Sequence, residues 1–182
     1  MIAYKAFEQG RICRGYQFVM GLNRTDRANC RQNGFHCAEN PLDCLTYYPD
    51  MEQSEYYIVD AGGDIDEDEN DSKISCTELT VLKKLSRKDF FFHGLAFMAD
   101  HPLREWSSHV MKDRAEARRG YAVARGIDPV ARGKIGDILA LAKEDAYTGV
   151  VEQIALTCVD GIKIMPDKWY DVDLEERQVV SL

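Results

Sequence analysis

The sequence lacks long apolar runs and any motif that identifies a catalytic reaction. Over its 182 residues, the uncharged apolar runs are far too short to cross a bilayer, so no transmembrane span is predicted. The first residues, Met1-Ile2-Ala3-Tyr4-Lys5, show no basic region followed by an apolar stretch, and no secretory signal is expected. A phosphate-binding Gly-Lys-Ser/Thr loop and a dinucleotide fingerprint are absent too. These absences favour a cytoplasmic protein that is not an enzyme.

Positive charge is scarce, with 23 Lys and Arg against 31 Asp and Glu and a formal net charge of −8. Generic binding to a nucleic-acid backbone depends on clustered cations that neutralise phosphates, so direct nucleic-acid binding is not expected. The acidic residues concentrate between Asp60 and Asp71, a stretch with five Asp, two Glu and no Lys or Arg. Such a stretch attracts a cationic surface. It indicates a protein or nucleoprotein complex as the partner.

The six cysteines and four histidines lack the spacing of a metal site. Cys30, Cys37 and Cys44 recur at intervals of seven residues, whereas zinc ligands are usually paired roughly two to four residues apart. Three of the histidines recur at intervals of eight, which fits neither a zinc helix motif nor a catalytic triad. In a reducing cytosol most cysteines are small buried hydrophobes. We therefore expect no disulfide, no metal and no cofactor.

The N-terminal unit, residues 1–85, is predicted to be a mixed sheet with a short helix packed on it. Asn40-Pro41 begins the helix, since Asn caps exposed N–H groups and Pro fits the first helical position. Gly62-Gly63 is predicted to end a strand, so that the acidic stretch follows as a loop. Asn33-Gly34 is typical of a tight turn, after which Phe35 enters the core. The predicted strands cover residues 2–7, 12–19, 55–61 and 72–82.

The C-terminal unit, residues 86–182, leaves two alternatives open. Arg-Gly pairs at 119–120, 125–126 and 132–133 place a glycine at regular corners, which favours a small Gly-cornered β-roll. Ala, Arg and Glu are also good helix formers, so a small helical segment over residues 112–136 is the alternative. Pro102 is predicted to open a helix through Met111. Antiparallel strands at 138–141, 150–159, 162–164 and 179–182 cap the unit, and the fold class is α+β.

Four blocks of residues are distinctive. They are Cys13-Arg14-Gly15-Tyr16-Gln17-Phe18, Asn33-Gly34-Phe35-His36-Cys37-Ala38-Glu39-Asn40-Pro41-Leu42-Asp43, Tyr47-Tyr48-Pro49 and Asp71-Ser72-Lys73-Ile74. Together they resemble a family of uncharacterised proteins encoded by bacteriophages and prophages. Members often close a C-terminal part of short Ala/Gly repeats with a Lys/Asp-Trp-Tyr element, to which Gly120, Gly126, Gly133 and Asp167 to Tyr170 are similar. The resemblance covers most of the chain and implies a phage origin, but no activity.

Two groups of residues are candidate functional residues. The first consists of carboxylates predicted to contact a partner: Asp64, Asp66, Glu67, Asp68 and Glu69. The second consists of residues that could line one pocket: Arg14, Phe35, His36 and Tyr47. An Arg after a strand, an aromatic residue and a distant Glu faintly resemble ADP-ribosyltransferase-like folds, although a Ser-Thr-Ser strand and a placed catalytic Glu are missing.

The acidic charge, the missing catalytic signatures and the resemblance together predict a non-enzymatic interaction protein of phage origin in the host bacterial cytoplasm. A small acidic protein can cover a cationic surface of a host complex, as an anti-CRISPR or other counter-defence inhibitor does. One alternative is an enzyme that acts on NAD through Arg14 and His36. Another is a virion-associated structural module, because Gly-rich rolls can trimerise on phage fibres. The sequence does not decide whether the chain forms homo-oligomers.

Overall fold

The computed structural model describes residues 1–30, 32–67 and 72–179, mostly as β-structure, and it confirms the α+β expectation. The chain divides into two compact units, Met1–Ser86 and Arg87–Leu182, called unit 1 and unit 2. Each unit has its own sheet and its own apolar cluster. Among the described residues, neither helix has the length and apolar character needed to span a bilayer.

Unit 1 is a seven-stranded sheet, within the described residues, that closes on itself. Its strands are β1 Ile2–Glu8, β2 Ile12–Cys13, β3 Tyr16–Gln17, β4 Gly21–Arg24, β5 Phe35–Ala38, β6 Ser54–Glu67 and β7 Lys73–Leu85. β1 pairs with β5 and β6, and β7 pairs with the same two strands, so these four strands form a ring. Successive side chains of a strand face opposite sides. Those that face inward form an apolar cluster that includes Phe7, Phe35 and Cys76.

The segment after Asn40 is a 3-10 helix, Pro41–Thr46, rather than an α-helix. The predicted cap is confirmed, because Asn40 Oδ1 accepts a hydrogen bond from the Leu42 backbone N–H at 3.1 Å. Leu42 and Leu45 are buried where the helix packs against β1 and β5. A 3-10 helix is the usual form of such a short connecting turn.

The prediction that Gly62-Gly63 ends a strand is wrong. β6 runs through both glycines to Glu67 and stays paired with β7, with a shift of register between Gly62 and Ile65. Gly63 has a φ of 69°, and a Cβ at this position would collide with Thr77 Oγ1. The glycine therefore permits an irregularity within the ladder rather than a strand end. The acidic residues up to Glu67 belong to a long hairpin, not to a loop.

Unit 2 begins with helix α1, Arg87–Asp100, and continues as a six-stranded sheet in the described residues. Its strands are β8 Met111–Glu116, β9 Tyr121–Arg132, β10 Ile138–Glu144, β11 Val151–Cys158, β12 Trp169–Tyr170 and β13 Glu176–Arg177. β8, β9 and β10 are parallel although only short turns connect them. Ala124 lies beside Met111, and Ile138 lies beside Tyr121, so the chain coils back on itself. The β-roll is confirmed, and the helical alternative for residues 112–136 is wrong.

Small residues allow the tight coil of unit 2. Its apolar cluster contains four alanines from β8 and β9: Ala115, Ala122, Ala124 and Ala131. Gly120 and Gly136 turn two corners with φ values of 91° and 92°, a conformation that glycine adopts without steric penalty. Of the three predicted corner glycines, Gly120 is at such a corner, but Gly126 lies inside β9 and Gly133, directly after β9, has no positive φ, so the prediction of regularly spaced glycine corners is wrong at these two positions.

Two other predictions in unit 2 are wrong. Residues 101–110 form turns and irregular backbone, and Pro102 follows the end of α1 instead of opening a helix. Residues 162–164 form no strand, because the Asp160 carboxylate accepts hydrogen bonds from all three of their backbone N–H groups and closes a turn. The predicted strand 179–182 lies outside the described residues except for Val179, which is not in a strand.

Candidate functional site

The β6–β7 hairpin carries exposed carboxylates where β6 ends. Asp64, Asp66 and Glu67 are all exposed, and we call these three residues the acidic hairpin end. Asp68 and Glu69, the other two predicted contact residues, lie outside the described residues. The ladder between β6 and β7 continues to Glu67, so the acidic hairpin end projects from a hydrogen-bonded backbone.

Local contacts position the acidic hairpin end without neutralising it. Asp66 Oδ2 accepts a hydrogen bond from the Cys30 backbone N–H at 2.6 Å. Within the described ranges, none of its three carboxylates forms an ion pair. Asp60, at the other end of the same acidic stretch, is paired with the N-terminal ammonium of Met1 at 2.6 Å. Within the acidic stretch, the described carboxylates without an ion pair therefore lie at the hairpin end.

The structure places the predicted pocket residues in different surroundings. Phe35 is buried in the core of unit 1, where its ring centroid lies 4.8 Å from that of Phe18. Arg14 is exposed in the turn between β2 and β3 and has a φ of 49°. Tyr47 is 55% exposed, and the Lys73 ammonium nitrogen lies 4.2 Å from the centroid of its ring. Phe35 is therefore a core residue, whereas Arg14 and Tyr47 face solvent.

His36 is half-buried on β5, in a cationic neighbourhood. Burial lowers the pKa of His36, and the positive charges of Lys5, Lys73 and Arg14 lower it further. The imidazole is consequently neutral at pH 7. Arg14 and His36 thus share an electrostatic environment, and the hypothesis of an enzyme that uses them on NAD stays a prediction.

Sequence reasoning missed Lys5, whose side chain is directed into the core so that only 5% of the residue is exposed. Its Nζ donates a hydrogen bond to the His36 carbonyl oxygen at 2.7 Å and lies 3.8 Å from Cys13 Sγ. The rings of Phe7 and Phe18 have their centroids 5.1 and 5.3 Å from this nitrogen. The available signal was positional, because Lys5 occupies the same inward phase of β1 as Phe7.

Cys13 and Tyr48 complete this group, which we call the thiol cluster: Lys5, Cys13 and Tyr48. Tyr48 Oη donates a hydrogen bond to Cys13 Sγ at 3.1 Å. Burial raises the pKa of Tyr48, and the hydrogen bond to Cys13 raises it further. The phenol therefore keeps its proton at pH 7 and remains a donor toward the half-buried sulfur.

Other cysteines of unit 1 fill the core. The Cys37 and Cys76 side chains hydrogen-bond to each other, and this bond together with burial raises the pKa of Cys37. Burial also raises the pKa of Cys44 to about 12. Cys37 and Cys44 therefore stay protonated, as buried structural thiols do. No group of three or more His, Cys, Asp or Glu is arranged to hold a metal ion in the part of the chain that the structure describes.

Comparison with known proteins identifies one region of similarity. The family model "Domain of unknown function (DUF7666)" matches residues 1–93, which span unit 1 and the first half of α1. No curated protein and no solved structure matches the chain. The function therefore has to be inferred from the chemistry of the chain's own residues.

Proposed function

This chain belongs to the DUF7666 family, a domain of unknown function, and from that premise we propose that it is a non-enzymatic protein that binds a cationic surface of a partner. The observation that carries the proposal is the acidic hairpin end. Three exposed carboxylates extend from a paired strand, and none of them has an ion-pair partner in the described residues. Their charge is available to the lysines and arginines of another protein.

The rigidity of the hairpin supports a role in binding. Ordering a flexible segment at an interface lowers affinity, and a backbone that is already hydrogen-bonded avoids much of that penalty. β6 stays paired with β7 up to Glu67, and Asp66 is held from the side by the Cys30 backbone N–H. The carboxylates are therefore presented in a defined arrangement before a partner arrives.

The net charge of −8 supports the choice of partner. A negative protein repels nucleic acid and is attracted to proteins that bind it. We propose that the partner is a host protein or nucleoprotein complex whose cationic surface this chain covers. The resemblance of Cys13–Phe18 and Asn33–Asp43 to phage-encoded proteins supports a counter-defence role of the anti-CRISPR type in the host cytoplasm.

The test compares two variants that lose the same amount of charge. The hairpin variant carries Asp64→Asn, Asp66→Asn and Glu67→Gln. The control carries Asp100→Asn, Glu105→Gln and Glu152→Gln, three exposed carboxylates of unit 2 that form no ion pair in the described residues. Each full-length protein is used as bait in lysate of a bacterial host, and captured proteins are identified by mass spectrometry across a series of salt concentrations.

Wild type and control are expected to capture the same partner, and the hairpin variant to bind it about tenfold more weakly, as the loss of several partly screened charge pairs predicts. Wild-type capture should weaken as salt rises, because exposed charges are screened. Equal capture by both variants, or capture that does not respond to salt, would show that the acidic hairpin end is not the contact. A partner that is a nucleic acid, or only a second copy of the chain, would overturn the proposal as well.

A further inference from the structure

The thiol cluster lies beside a gap between two strands, β5 and β2, that pair with the same edge of β1. This edge pairs with β5 at Tyr4 and with β2 at Glu8. The two neighbouring strands therefore separate beside the intervening residues, which include Lys5. Cys13 is the last residue of β2, is half-buried at this separation and packs against the apolar core of unit 1.

Lys5 brings a positive charge to this position without a carboxylate. Among the described residues, its ammonium group has the His36 carbonyl as its oxygen partner and forms no ion pair. A buried charge is destabilising unless it is paired with an opposite charge. The group in contact with Nζ that can become an anion is Cys13 Sγ, at 3.8 Å. A thiolate at Cys13 would compensate Lys5.

Tyr48 acts on the same sulfur from another direction. Its hydroxyl donates to Cys13 Sγ at 3.1 Å, and a donor at this distance stabilises negative charge on the acceptor. Arg14, the next residue in the chain, is exposed and forms no ion pair within the described part of the chain. Reactive cysteines are found in electropositive, partly exposed surroundings of this kind.

The other half-buried cysteines provide an internal contrast. Cys30 Sγ lies 3.8 Å from the Lys73 carbonyl oxygen, and Cys158 Sγ lies 3.9 Å from the Val159 carbonyl oxygen. A carbonyl accepts the thiol proton and therefore favours the neutral form of the sulfur. The Cys13 sulfur instead has an ammonium and a phenol within reach.

We propose that Cys13 forms mixed disulfides by exchange with small disulfides that carry carboxylates. The Cys13 thiolate attacks one sulfur of the disulfide, a new S–S bond forms, and the original S–S bond breaks. The other half leaves as a thiolate and takes up the proton that Cys13 had released. Cys13 is oxidised and the departing half is reduced, so the small disulfide is the oxidant. Arg14 is placed to attract a carboxylate of the incoming molecule.

Oxidised glutathione is the charged probe, and 2-hydroxyethyl disulfide is the neutral one. The intact protein is incubated with each at pH 7, and adducts are located by peptide mass spectrometry over time. We expect one adduct, on Cys13, to form about tenfold faster than adducts on Cys30 and Cys158. Cys13→Ser should abolish it. Arg14→Ala should slow the reaction with oxidised glutathione more than that with the neutral disulfide.

Two variants test the origin of the reactivity. Lys5→Met removes the charge but keeps an apolar side chain of similar length, and Tyr48→Phe removes only the hydroxyl group. Both should slow exchange at pH 7, because each removes a group that contacts Cys13 Sγ. Melting curves establish whether each variant is folded. If Lys5→Met does not fold, Tyr48→Phe still tests whether the contacts of Cys13 cause its reactivity. The proposal would be refuted if Cys30 or Cys158 were labelled as fast as Cys13. It would also be refuted if Lys5→Met or Tyr48→Phe folded and reacted at the wild-type rate.

Discussion

Both units bury a long cationic side chain, Lys5 in unit 1 and Arg125 in unit 2, but they compensate it differently. Arg125 is 2% exposed, and its Nε donates to Glu144 Oε2 at 2.8 Å. Its Nη2 donates to the carbonyl oxygens of Pro102 and Gly149, both at 2.8 Å, and its guanidinium carbon lies 4.8 Å from the centroid of the Trp106 ring. The Lys5 ammonium donates to one carbonyl oxygen, lies 3.8 Å from a sulfur and has the Phe7 and Phe18 ring centroids 5.1 and 5.3 Å away, but it has no carboxylate partner in the described residues.

This difference separates a structural cation from a candidate functional one. Arg125 joins two irregular segments, 101–110 and 145–150, to the strand that carries it, and its carboxylate partner balances its charge. Lys5 links β1 to His36 of β5 and to Cys13 of β2, but without a carboxylate, and a chain that only needed to fill this space could have used an apolar residue. The incompletely compensated charge of Lys5 therefore indicates a function, whereas the balanced charge of Arg125 indicates a structural role.

The largest effect is expected from replacing Arg125 with methionine. Arg125→Met leaves Glu144 without its counter-ion and two carbonyl oxygens without their donor, which should lower the free energy of unfolding by about 3–5 kcal/mol. Lys5→Met is the matched control in unit 1 and should change stability by no more than about 1 kcal/mol, or increase it. Denaturant unfolding followed by circular dichroism measures both. Similar losses for the two variants would show that both cations are structural.

A second comparison uses two glycines with nearly the same backbone conformation. Gly34 in unit 1 has a φ of 89°, and Gly120 in unit 2 has a φ of 91°. A Cβ at Gly34 would collide with Ser75 Oγ and lie 2.9 Å from Ala28 Cα, whereas a Cβ at Gly120 would meet no atom within 4 Å. Gly120→Ala should therefore cost about 1–2 kcal/mol from backbone strain alone, and Gly34→Ala about 1–2 kcal/mol more. Thermal melting of the two variants measures the difference, and equal losses would contradict the steric argument.

A third prediction concerns the partly exposed ion pair of unit 1. Glu55 Oε1 accepts a hydrogen bond from Lys84 Nζ at 2.5 Å. Burial raises the pKa of Glu55, but the bonds from Lys84, from the Arg11 backbone N–H and from Tyr57 outweigh burial, so that the pKa lies below its ordinary 4.5. The stabilisation is therefore present above about pH 4.5 and is lost as the pH falls through the folded-state pKa.

Glu55→Gln should accordingly lower stability by roughly 1 kcal/mol at pH 7, since Lys84 is mostly exposed and its charge is screened. The difference from wild type should shrink as the pH falls below about 4.5, where the wild-type carboxyl is neutral too. Urea unfolding across a pH series is the measurement, with the exposed Glu8→Gln as control. A difference that persists unchanged at pH 3 would assign the effect to packing.

The smallest effect is expected from His36→Ala. The His36 backbone carbonyl, not its ring, accepts the Lys5 hydrogen bond, so that bond survives the substitution. Stability should fall by less than about 1 kcal/mol, as for a half-buried side chain outside the core. Capture of the partner through the acidic hairpin end should not change. A variant that melts like wild type but no longer captures the partner would show that His36 belongs to the binding site.

The features that the sequence predicted correctly depend on neighbouring residues. Asn40 caps the segment that Pro41 opens, because the cap and the N–H group that it binds are two residues apart. Of the predicted glycine corners of unit 2, Gly120 is correct, because glycine at a positive φ is a local requirement, whereas Gly126 lies within β9. Errors occurred where a local signal had two physical meanings. Gly62-Gly63 can end a strand or carry a bulge, and pairing with β7 selected the bulge.

What the sequence alone determined about this protein is its α+β composition, the cap at Asn40, the turn glycine Gly34, and the concentration of negative charge between Asp60 and Asp71. Only the tertiary structure decided that β1, β5, β6 and β7 form a ring, that Lys5 is enclosed in it, and that Cys13 and Tyr48 meet there. The physical reason is the range of the interactions. Turn and cap preferences act over a few residues, whereas ring closure and the environment of a buried charge depend on contacts between residues far apart in the chain.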